Sequence, residues 1–180
     1  MRKNMFSEDG RVKIPALVHL TRLGYTYRST KKIRPDVDVE TNIYRTSFLT
    51  AMNRLNAAEL GERTITEQDA ERIIRHLGDM LQGEDLGRKF FMKLQQGIPY
   101  DGRILRLIDF NYRERNIFEV VTEMPCGTED ASFRPDITIY INGLPLAFME
   151  VKKPNNLKGM QAEYQRMTKR STDDLSLIHI

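Results

Sequence analysis

Three polar residues flank a short apolar hairpin in the stretch FRPDITIYINGLPLAFMEVKKP, residues 133–154. Asp136 opens the first apolar run, and Glu150 and Lys152 close the second. Two carboxylates about one strand spacing apart repel each other and suit a hard divalent cation that prefers oxygen ligands. Asp136, Glu150 and the backbone carbonyl of Val151 are the expected protein ligands of a Mg²⁺ ion, which would polarise a phosphate and acidify a bound water. Lys152 would orient or deprotonate that water, or balance charge growing on the phosphate. The chemistry this points to is phosphodiester hydrolysis. An exposed, salt-bridged hairpin carries the same residue types at its ends, and a D…ExK pattern alone does not separate the two.

The hairpin can present these groups together only in one register. Strand side chains alternate with period two, so Ile137, Ile139 and Ile141 share one face, as do Ala147, Met149 and Val151. Putting both rows on the same side requires odd positions to pair with odd, and Asp136 then lies across from Glu150. The Asn142-Gly143 dipeptide favours a tight two-residue turn, which taken alone pairs Asp136 with Met149. The expectation is an odd-numbered loop, or a bulge that restores the same register.

Around the hairpin the chain reads as helices first, then strands, then a helix. Residues 1–10 read as a lead-in, followed by a helix from about Val12 to Leu23 with Ile14, Leu17, Val18 and Thr21 on one face, stopped at Gly24. Tyr25 to Arg28 reads as a short extended piece. A second helix is expected over Ile43–Asn56, with Phe48, Ala51, Met52 and Leu55 as its stripe. In a third, Thr66 and Asp69 resemble a capping box, and Ala70, Ile73, Ile74, Leu77 and Leu81 line one face up to Gly83. A fourth, about Asp85 to Gln96, carries Leu86, Phe90, Phe91 and Leu94. Ile104–Phe110 and Asn116–Glu123 read as strands, and a last helix runs on from about Leu157. This order predicts a mixed α/β fold, a small sheet flanked by helices, with residues 1–98 as its helical part and 99–174 as the core that holds the site.

Composition bounds the alternatives. The 180 residues are 40% hydrophobic and 29% charged, with a net charge of +3, which fits a globular chain and permits a polyanionic partner without demanding one. No run of about 18 apolar residues occurs, so no membrane-spanning helix is expected. Cys126 is the single cysteine. It excludes an internal disulfide and a thiolate zinc site and fits a reducing cytoplasm. His19, His76 and His179 stand far apart, in no metal-binding pair. The last six residues, LSLIHI, resemble the translated end of a sequencing-library adapter. The native sequence is therefore expected to stop near Asp174, leaving 175–180 as a non-native tail and His179 without meaning.

The hairpin as a whole, RPD-I-x-I-x-I-N-G-L-P-L-x-x-x-E-V-K-K-P-N, resembles the PD-(D/E)xK nuclease signature in the N-terminal domain of the R (restriction) subunit of type I restriction enzymes. LIDF (Leu107–Phe110), the following Asn116-x-Phe118 and the opening KIPALVHLTRLGY are similar to other parts of that family, so the resemblance spans most of residues 11–170. It implies a restriction-endonuclease-like fold with Asp136, Glu150 and Lys152 as a catalytic triad that uses Mg²⁺ to cut double-stranded DNA, in a complex with modification and specificity subunits. The Gln-x-x-x-Tyr element of many members has no assignable counterpart, since Gln161 and Tyr164 are three apart. No GxxxxGK[ST] phosphate loop is present, so ATP binding belongs only to a longer parent. The fragment alone is expected to be weakly active or inactive. Lys153, Lys158, Arg166, Lys169 and Arg170 are the expected electrostatic contacts to DNA, although such a run also suits a solvated helix face. A repair or junction nuclease of the same superfamily, and a non-catalytic DNA-binding or assembly module, are the alternatives.

Overall fold

The computed structural model describes residues 9–81, 87–126, 133–152 and 157–173. Among them are seven α-helices, a four-stranded sheet and a separate two-stranded ribbon, a mixed α/β fold as expected of a restriction-endonuclease-like core. A π-helical turn, Asp9–Lys13, leads into α1 (Ile14–Arg22), followed by β1 (Thr26–Arg28) and the single turn α2 (Thr30–Ile33). Helices α3 (Arg45–Leu55), α4 (Ala57–Leu60), α5 (Glu67–Leu81) and α6 (Arg88–Gln96) come next. The ribbon β2 (Ile98–Tyr100) and β3 (Arg103–Leu105) precedes β4 (Phe118–Thr122), β5 (Ile137–Ile141), β6 (Leu144–Met149) and α7 (Leu157–Asp173). The sheet order is β1-β4-β5-β6, with β1 parallel to β4 and the other pairs antiparallel.

The helical stripes of α3 and α5 form the larger core. Phe48, Ala51, Met52 and Leu55 are buried along α3, and Ala70, Ile73, Ile74, Leu77 and Leu81 along α5. The start of α5 is a reciprocal capping box. The Asp69 N–H donates to Thr66 Oγ1 at 3.2 Å, and the Thr66 N–H donates to Asp69 Oδ2 at 3.0 Å. Hydrogen bonds from the Tyr100 hydroxyl and from Thr66 hold the Asp69 carboxyl down at about 2. Helix α6 buries Phe90 and Leu94 but leaves Phe91 exposed, so Phe91 is not a core residue. Gly83 and Leu86 lie outside the described residues.

Two expectations need correction. On α1 the packed face is Ala16, Leu17 and Leu20, continued upstream by Val12, while Ile14 and Val18 are exposed. The segment Ile104–Phe110 is a strand only as far as Leu105. Beyond it, side-chain amides take the place of a partner strand. The Arg106 N–H donates to Asn56 Oδ1 (2.6 Å), Asn142 Nδ2 donates to the Leu107 carbonyl (2.8 Å), and the Asp109 N–H donates to Asn116 Oδ1 (2.9 Å). Leu105, Leu107 and Asp109 are the buried row, and Ile104 and Phe110 face outwards.

The hairpin satisfies both turn chemistry and register. Asn142 and Gly143 both have positive φ, 55° and 75°, as a type I′ turn requires. Tyr140 pairs with Pro145 but Ile139 pairs with Ala147, so Leu146 is an extra residue that bulges out of β6. Beyond the bulge Ile137 faces Met149, odd to odd. The more deeply buried row of β5 is nevertheless the even one, with Thr138 and Tyr140 at 3% and 0% exposure, because both sheet faces are covered.

The turn is clamped into the helical layer. The Tyr44 N–H donates to the Gly143 carbonyl at 2.8 Å, and a Cβ at position 143 would lie 2.5 Å from both the Phe48 nitrogen and the Tyr44 carbonyl oxygen. Gly143→Ala is therefore expected to destabilise the protein by at least about 2 kcal/mol in denaturant unfolding. A second expectation concerns Asp69. Its folded value is depressed, so its contribution is complete above the ordinary carboxylate range near pH 4 and is lost as pH falls towards 2. Asp69→Asn should cost about 1 kcal/mol at neutral pH and flatten the acid limb of the melting-temperature profile.

Candidate active site

The site lies at the end of the sheet away from the Asn142-Gly143 turn. Asp136 immediately precedes β5 and Glu150 immediately follows β6, one step beyond the Ile137–Met149 pair. The bulge at Leu146 sets this alignment, and the two carboxyls are in hydrogen-bond contact. Two charged carboxyls so placed repel each other and favour a cation between them. The Val151 N–H donates to Asp136 Oδ2 at 3.0 Å. Val151 itself is buried against Leu20, Val120 and Ile137, which fixes the backbone between Glu150 and Lys152. Lys152 is half-buried directly after it.

Two residues that the sequence reading missed complete this end of the sheet. The β4–β5 register, Thr122 opposite Ile137, continues to Glu123 opposite Asp136, and the Glu123 N–H donates to the Asp136 carbonyl at 3.2 Å. Glu123, Asp136 and Glu150 thus form one row across three neighbouring strands. The second is Lys13, at the start of α1 and only 8% exposed. Its ammonium lies 2.9 Å from Glu123 Oε1 and 3.0 Å from Asp136 Oδ1. Burial pushes the Asp136 carboxyl up, but the hydrogen bonds from Val151 and Lys13, the Lys13 charge and the contact with Glu150 outweigh it and hold the group below its ordinary value.

A signal for each was present. Lys13 stands four residues before Leu17 and seven before Leu20, on the apolar stripe of its helix, where a lysine must find an anionic partner. Glu123 is reached by counting the β4–β5 pairing one residue past the strand, although its backbone leaves the strand with φ of 52°.

Other polar groups serve the frame. Glu119, fully buried on β4, accepts from Arg28 Nε at 2.6 Å and from the Ser47 hydroxyl, joining β1, β4 and α3. Burial pushes the Cys126 thiol up to about 11, so it stays protonated and is no nucleophile. His19 and His76 are exposed on α1 and α5. Of the basic residues expected to meet DNA, Lys158 and Arg166 are exposed on α7. Lys153 and the tail 175–180 lie outside the described residues, as do the side chains of Lys169 and Arg170.

Comparison with known proteins gives the family. The profile of the type I restriction enzyme R protein N terminus matches residues 5–179. The chain belongs to that family. It is also 26% identical over 168 residues to a protein of Methanocaldococcus jannaschii provisionally named as the MjaIXP endonuclease subunit of a type I restriction enzyme. The match covers 83% of this chain and 16% of that relative, so the chain corresponds to a small part of the relative's length. Among the described residues no helix is long and apolar enough to cross a membrane.

As an N-terminal region of this family the chain has its carboxylate row tied to helix α1 through one buried ammonium. Lys13→Met and Asp136→Asn, alone and combined, should show a coupling of about 1–3 kcal/mol in a double-mutant cycle read by chemical unfolding. Additive effects would mean that the ion pair contributes nothing to the fold.

Proposed function

We propose that this chain is the nuclease region of a type I restriction enzyme R subunit and that it hydrolyses double-stranded DNA with Mg²⁺ held by Asp136, Glu150 and the carbonyl of Val151. The observation that carries the reading is the contact between the Asp136 and Glu150 carboxyls at the ends of adjacent strands, in a chain of this family. The donor set supports a hard cation. It offers only oxygen. That suits an ion which keeps several waters and takes one or two carboxylates plus substrate phosphate, as Mg²⁺ does. When bound, such an ion supplies Lewis acidity towards the scissile phosphate and its attacking water.

The chain's own residues then divide the work. Asp136 is oriented by the Val151 N–H, which donates to its Oδ2. Glu150 holds the opposite side of the same position. Lys152, two residues on, orients the attacking water or donates to the phosphate oxygen on which charge grows. Lys158 and Arg166, with Lys153, Lys169 and Arg170, contribute sequence-independent attraction to the DNA backbone. In this reading the specificity and modification functions reside in partner subunits. ATP-driven movement belongs to the longer parent, and the complex works where its DNA is, in the cytoplasm.

The test is Mg²⁺-dependent cleavage of duplex DNA by the full-length subunit in its complex. Asp136→Ala, Glu150→Ala and Lys152→Ala should each lower cleavage by about a hundredfold or more while circular dichroism shows a folded protein. Cleavage at the wild-type rate in all three folded variants would refute the site.

A further inference from the structure

The proposed site already holds a cation, and it belongs to the protein. The Lys13 ammonium touches Oδ1 of Asp136, one of the two carboxylates proposed to bind metal, and bridges it to Glu123. Its side chain is 10% exposed, so the charge is mostly withdrawn from water and depends on these carboxylates for compensation. Val151 N–H takes the other oxygen of Asp136, so both are engaged before any metal arrives. A divalent ion on Asp136 would stand within a few ångströms of the ammonium, and two cations at that separation in a partly buried site repel strongly.

We propose that Lys13 is a positioning residue that acts as an internal counter-ion. It keeps Asp136 and Glu123 aligned while the site is without metal, and it competes with the divalent cation for Asp136. This rests on the reading that Asp136 and Glu150 bind metal. The layout gives the ammonium somewhere to go. Glu123 is half-exposed and already shares it, so the lysine can give up Asp136 and remain paired. Lys13 is also the last residue of the π-helical turn that leads into α1. Occupation of the site therefore pulls on α1, which packs against this end of the sheet, and the protein holds metal weakly until an additional anion, the DNA phosphate, offsets the excess positive charge.

The experiment is titration of the full-length protein with Mn²⁺, without nucleotide or DNA, following loss of the free-ion electron paramagnetic resonance signal. Neutral variants Lys13→Met and Lys13→Gln are expected to bind Mn²⁺ about tenfold more tightly than wild type, and Lys13→Arg to stay within about threefold of it. Gln keeps a hydrogen-bond donor towards the carboxylates and serves if Met impairs folding. A purely structural lysine predicts weaker binding in both neutral variants, so unchanged or weaker binding there overturns the proposal. Asp136→Asn separates this from the underlying reading. Wild-type binding that vanishes in Asp136→Asn, with no gain in the neutral Lys13 variants, leaves the metal site standing and removes only the counter-ion role. Binding that is absent in wild type and in the neutral variants, or is indifferent to Asp136→Asn, removes both.

Discussion

One extra residue in β6 determines which side chains meet at the far end of the sheet. An Asn-Gly turn pairs even with odd, and without correction it carries Glu150 one position out of line with Asp136. Leu146 absorbs that offset, and the pairing beyond it runs odd to odd. Because side chains alternate strictly, a slip of one residue reverses every position after it. The turn brings tight closure and a left-handed pair of residues that the helical layer can grip, while the bulge brings the register the carboxylates require. A strand pair with only one of these features would have either a loose turn or a scattered site.

The turn end of the hairpin is the rigid end. Asn142 is 1% exposed, and its side chain accepts from the Ile117 N–H and donates to Asn116 and to the Leu107 carbonyl. Asp109 accepts from the Asn111 and Tyr112 N–H groups, and Asn116 Nδ2 donates to the Asp109 carbonyl. The LIDF segment, the Asn-x-Phe strand and the Asn-Gly turn are thus three parts of one buried polar network. Each buried amide is paired, which is the condition under which such a network specifies a single arrangement. These residues lie one strand length from the carboxylates, so their role is to fix where β4, β5 and β6 begin.

What the sequence disclosed follows from the range of the forces involved. Helices α3 and α5 were legible residue by residue, since their stripes answer to a local period and the Thr66–Asp69 cap lies within one turn. The hairpin was legible because its two strands adjoin in sequence. The strand reading of Ile104–Phe110 failed because its apolar residues sit on both rows. The row that is buried ends in Asp109, and a carboxylate satisfied by backbone N–H groups does not look like core in a sequence. Lys13 and Glu123 escaped for a related reason. They lie 110 positions apart in the chain, so the position of Lys13 on an apolar stripe calls for an anionic partner without saying which, until the sheet register and the packed face of α1 are both known.

The two ends of the sheet are therefore held by different physics. At the turn, neutral amides and a glycine packed against backbone leave no alternative geometry, and disturbing them disturbs the fold. At the carboxylate row, the groups are charged, partly open to water and balanced against each other. Repulsion within the row is compensated by Lys13 and by the Val151 N–H. Such a balance suits the proposed exchange for another cation, because the strands are positioned from the other end. A rigid frame with an exchangeable charge balance at its tip is what a site needs if it is to accept a metal and a phosphate and release them again.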